Sequence, residues 1–130
     1  MLGIWSAHSQ DFLLWLCLGT TLVFALPIFL TPLLWARLMG WTIPQHTHLA
    51  IYFGRCLGAF ILIVEALMLR AALTGEALLT TYQVLAAVAV LMVAVHVHGA
   101  LRRIQPLSET LEIGFYAGML VLVLLFWPVG

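Results

Sequence analysis

Lysine is missing from this chain. Its five basic residues are all arginine and are balanced by five acids, so the formal net charge is zero. Charged residues make up 8% of the 130 positions, where a soluble domain carries about 25%. Without a basic stripe there is no footprint for nucleic acid. Without a long polar stretch there is nothing to coat a water-facing surface. The two cysteines, Cys17 and Cys56, form no CxxC pair and fall in apolar stretches, so they read as free thiols packed as small hydrophobes. No GxSxG, GxGxxG, phosphate-cradling loop or HExxH occurs, and Ser6, Ser9 and Ser108 are terminal or loop residues. Hydrolytic and nucleotide chemistry are therefore not expected, and the chain reads as more a binding protein than an enzyme. The opening "MLGIWSAHSQD" has neither the cationic start nor the small-residue cleavage site of a signal peptide, so the first apolar stretch is expected to be a retained helix.

What is present is hydrophobic: 65% of residues, with a mean hydropathy of +1.16. Lipid is the solvent such a chain is built for. A spanning helix needs roughly 20 apolar residues, and four segments qualify, at about 12–36, 48–73, 79–102 and 109–128. "RLMGWTIPQHTH", "TGEA" and "RRIQPLSE" punctuate them with Gly, Pro and charge. Backbone groups must be satisfied internally in lipid, so helices are the expected spans. Short loops then predict an all-α, antiparallel bundle of four transmembrane helices, with residues 1–130 forming one domain. Arg37, Arg102 and Arg103 fall in the first and third loops, against Arg70 alone on the other side. The positive-inside rule then places both termini on the non-cytoplasmic side of a plasma (inner) membrane protein. Trp5, Trp15, Tyr82 and Trp127 at one edge, with Trp35 and Trp41 at the other, read as an aromatic belt. Pro27 and Pro32 predict a kink in the first span, and Ser108 is expected to cap the fourth.

Polar residues inside the spans carry the functional reading. At about 1.5 Å of rise per residue, Arg55, His96, His98, Glu112 and Tyr116 all lie within roughly 4–10 Å of the bilayer centre, on its inner side. Intramembrane charges face the bundle and pair, so an Arg55–Glu112 pair is expected, while Arg102 or Arg103 can reach Glu109 at the interface, where a pair is worth little. Residues two apart on a helix point about 200° from each other, so His96 and His98 cannot both ligate one ion. A metal site built from His46 or His48, one of His96 and His98, and Glu109 or Glu112 is geometrically possible. A haem would need histidines paired across the bundle, and His96 or His98 alone offers little. No cofactor (quinone, haem or metal) is strongly implied.

Glu65 lies about 6 Å toward the other side of the centre, with Thr20 and Thr21 at its depth. It is the residue on which proton coupling would rest. "GRCLG" (Gly54, Gly58) and "GFYAG" (Gly114, Gly118) are small-xxx-small faces that predict close approach of the second and fourth helices, or contact with a partner or second copy. Three functions follow. The first is a non-catalytic subunit of a membrane complex, or a module holding a lipophilic ligand such as a quinone. The second is a proton-coupled small-molecule transporter, dimeric, using Glu65. The third is a membrane redox or metal protein using the inner His/Glu layer.

Overall fold

The computed structural model describes residues 2–130, and the described residues are helical with short connections. Four helices are long and apolar enough to cross a membrane: α1 (Ser6–Leu30), α3 (His48–Thr74), α4 (Leu78–Arg102) and α5 (Leu107–Leu125). A short helix, α2 (Pro32–Leu38), separates the first two.

The first span starts and stops earlier than the expected 12–36, and the prolines explain how. Pro27 has no N–H to give the Val23 carbonyl, and the chain answers with one wider π-turn over Thr21–Ala25, closed by the Leu26 amide on the Thr21 carbonyl. The freed Val23 carbonyl accepts instead from the Trp35 indole, at 3.0 Å. Thr31, ahead of Pro32, leaves the helical region at φ −137° and ψ 64°, as the proline ring demands of its predecessor. The expected kink is thus a full break, and α2 folds back against α1. The last span also ends sooner than expected, at Leu125, three residues short of Pro128.

α1 lies along α3, and α4 along α5, while α3 meets α4 more sparingly. The expected close approach of α3 to α5 through glycines is not what forms. A Cβ on Gly54 would sit 2.5 Å from Pro32, and one on Gly58 2.6 Å from the Phe29 backbone. That glycine face therefore admits Phe29 of α1 and Pro32 at the start of α2, while Gly114 and Gly118 have nothing within 4 Å of a built Cβ.

The two pairs join in a core at one end of the molecule. Leu13 and Cys17 of α1, Met68, Ala71 and Ala72 of α3, Tyr82, Leu85 and Ala89 of α4, and Met119 and Val123 of α5 bury one another there. Tyr82, expected in the aromatic belt, is wholly buried instead. Its hydroxyl donates to the Ser9 carbonyl at 2.6 Å and its ring meets the edge of Trp127. Gln10 donates to the Ala72 carbonyl, and the amides of Gly3 and Trp5 donate to the carbonyls of Leu124 and Leu125. Toward the other end the pairs leave a cavity of about 670 Å³ between them.

Candidate functional site

The connection from α4 to α5 builds the polar end of that cavity. Arg103 turns the chain back in the left-handed region at φ 54°, and the Ile104 amide closes on the Gly99 carbonyl at 3.1 Å. Gly99 leaves room for the Gln105 side chain, whose amide oxygen would lie 2.0 Å from any Cβ there. Gln105 can therefore lie flat on α4 and donate to the His96 carbonyl at 2.9 Å and to Thr110 Oγ1 at 3.1 Å. This tie holds the start of α5 against His96. Glu109 and Glu112, three apart on one helical face, then both turn toward the imidazole.

His96 Nε2 lies 3.0 Å from Glu109 Oε2 and 3.0 Å from Glu112 Oε2. Its other nitrogen, Nδ1, is 2.6 Å from the Met92 carbonyl. A carbonyl can only accept, so Nδ1 carries the hydrogen and the ring is fixed with Nε2 aimed between the carboxyls. Trp41 donates its indole N–H to Glu109 Oε1 at 2.9 Å, and Ser108 Oγ donates to the Met39 carbonyl. The segment after α2 is thereby fastened under the cavity, with Trp35 and Trp41 among its lining residues. His96, Glu109 and Glu112 are all buried. Tyr116 leans on the imidazole, ring centres 5.3 Å apart.

The sequence-predicted residues divide between the interior and the outside. His96, Glu112 and Tyr116 meet as one cluster, and Glu109 joins them in place of an interfacial pairing with Arg102 or Arg103, both of which are exposed. The expected Arg55–Glu112 pair does not form. Arg55 stands about 100° around α3 from Gly54, and Gly54 faces Pro32 at the start of α2. Arg55 is consequently exposed, in an outward groove with His48, Tyr52 and Cys56. His98 is exposed beside the cavity mouth, and His46 and His48 are exposed and outside the buried cluster. Ser108 does not cap α5; Pro106 occupies that position and the serine hydroxyl serves Met39 instead.

Glu65 faces the same cavity from the far side. It is 6% exposed. Its Oε1 accepts from Thr20 Oγ1 at 2.6 Å, the partner expected from depth, and its backbone carbonyl accepts from Cys17 Sγ at 3.3 Å. Its Oε2 is buried with no hydrogen-bond partner. Between Glu65 and the His96 cluster the wall is largely apolar: Phe24, Phe60, Ile61, Val88, Met92 and Phe115 are among its residues.

Sequence reasoning missed Trp41, Gln105 and Gly99 as parts of the site. Gly99 carried a usable signal, since a glycine inside an apolar helix marks a close approach. Nothing in the pattern told which side chain would make it. Comparison with family models, curated proteins and solved structures gives no match, so the chemistry of the site rests on its own atoms.

Proposed function

We propose that this chain is a multi-pass membrane protein, its helices antiparallel and both termini on the non-cytoplasmic side, that holds an elongated lipophilic molecule between its two helix pairs. One observation carries the reading: a 670 Å³ cavity with largely apolar walls, among whose lining residues is Glu65, with its buried Oε2 left without a hydrogen-bond partner. The volume lies within the roughly 300–1,000 Å³ of small-molecule sites, where a few placed polar groups in an apolar wall fix orientation. An unpartnered buried oxygen costs about 1–3 kcal/mol, which a ligand hydroxyl would recover. A quinol-like head on a hydrocarbon tail has that chemistry. The protein does no chemistry of its own in this reading. It serves as a binding module or membrane-complex subunit, with the free Gly114/Gly118 face of α5 open to a partner or a second copy.

Native mass spectrometry of protein extracted from its own membrane in mild detergent tests this. The expected result is a retained lipophilic mass in the parent, lost in Ile61→Trp, which fills the cavity, and weakened in Glu65→Gln. Equal retention in the parent and the filled variant would place that mass on the outer surface and end the proposal.

A second reading draws on carboxyls standing at both ends of one cavity: proton-coupled transport of a small molecule, with Glu65 as the carrier. Uptake into vesicles would then lose its dependence on a pH gradient in Glu65→Gln. Unaltered dependence would remove Glu65 from that mechanism.

A further inference from the structure

We propose that His96, Glu109 and Glu112 bind one divalent first-row transition-metal ion at the polar end of the cavity. The inference does not depend on what else the cavity holds. Three donor atoms, one imidazole nitrogen and two carboxylate oxygens, lie within 4.8 Å of one another, and the nitrogen is 3.0 Å from each oxygen. Ligands at about 2.0 Å from a tetrahedral ion stand about 3.3 Å apart, so both imidazole–carboxyl spacings already fit to within a few tenths of an ångström, and the two carboxyl oxygens need close by no more than about 1.5 Å.

The surroundings point the same way. A metal-binding histidine characteristically donates its second N–H to a carbonyl, which fixes the tautomer and aims the free nitrogen. His96 does this through Met92. A ligating carboxylate is itself held by an outer hydrogen bond, which Trp41 supplies to Glu109.

Charge points there too. Two carboxylates are buried here, and among the described residues the arginine that forms an ion pair is Arg70, with Glu76 on the surface at the far end of α3. One proton on His96 balances one carboxylate; the second must then either stay ionised in apolar surroundings, at a cost of several kcal/mol, or take up a proton and become neutral. A divalent ion balances both.

The donor set narrows the ion. An imidazole with two carboxylates suits zinc, iron or manganese, whereas calcium and magnesium are held by oxygen ligands alone. Three protein ligands leave a further position on a tetrahedral ion, and all three line the cavity. An open position distinguishes a site that receives a water or ligand head from a closed structural one.

Cobalt(II) is the probe, because its visible absorption reports the ligand field. Chelator-treated full-length protein in detergent is titrated with Co²⁺ and its thermal unfolding followed in parallel. Saturation at one ion per chain, with visible bands and an upward shift of the unfolding temperature by several degrees, is the expected result. Glu112→Gln should remove the bands. Trp41→Phe, which leaves all three ligands in place, should weaken binding about 10–100-fold, as loss of an outer-shell partner does. His98→Ala and a His46→Ala/His48→Ala double variant should bind as the parent does. Absence of stoichiometric Co²⁺ uptake by the parent would overturn the proposal without any variant. Full affinity in Glu112→Gln, or loss of binding in the exposed-histidine variants, would overturn the assignment of ligands.

Discussion

The two ends of this molecule are made by the same four helices and are built on opposite terms. At the packed end, small residues such as Ala71, Ala72 and Ala89 let the helices close around Leu13, Tyr82 and Val123, each fully buried. At the cavity end, bulky Phe24, Phe60 and Phe115 line a space they do not fill, and the helices are tied by polar links instead. Those links are His96 to Glu109 and Glu112, Gln105 to His96 and Thr110, Trp41 to Glu109, and Trp35 to Val23. Lipid offers no hydrophobic drive for helices to associate, so dispersion in close packing and interhelical hydrogen bonds carry the work. Close packing dominates one end, where the Tyr82–Ser9 and Gln10–Ala72 bonds add to it, and polar links dominate the other, around the open cavity.

The separation can be broken most severely at the packed end. Tyr82→Ala removes a wholly buried ring and its bond to Ser9, and should cost about 3–5 kcal/mol, read as a lowered unfolding temperature in detergent. Ile61→Ala, on the cavity wall, should cost less than the about 2 kcal/mol at the foot of the usual range for such truncations. Equal losses at the two sites would mean the cavity is closed in the folded protein.

Glycine substitutions sharpen the same contrast. Gly58→Ala puts a methyl 2.6 Å from the Phe29 backbone and should destabilise by about 1–3 kcal/mol, the usual cost of overpacking. Trp35→Phe strips the donor from the carbonyl that Pro27 frees, for about 1 kcal/mol. A parent-like unfolding temperature in that variant would show that another group serves Val23. Gly114→Ala meets open space and should change monomer stability by no more than about 0.5 kcal/mol. A larger loss in membrane-extracted protein than in dissociated monomer would reveal a partner on that face.

How far the site was legible in the sequence differs from residue to residue. Depth matching brought His96, Glu112, Tyr116 and Glu65 inside, because rise per residue is nearly constant in any helix. It failed for Arg55, which is exposed instead of turned inward: a residue's azimuth depends on which face the helix buries, and Gly54 and Gly58 turned that face to Pro32 and Phe29. Glu109 lay at the right end yet was read as interfacial, because the fold of Gln105 over Gly99 that draws it inward depends on a loop conformation with no periodic signature.

The sequence by itself determined that four helices of spanning length and apolarity form, because hydrophobicity and helix-breaking residues act locally along the chain. It also determined that the first would bend, since a proline withholds its hydrogen bond wherever it stands. Which helices pair, where the bundle closes and where it gapes, and which imidazole meets which carboxyl were decided by tertiary structure alone. Those outcomes turn on rotations of whole helices about their axes, set by contacts between residues such as Gly58 and Phe29 that are far apart in the chain and near neighbours in space.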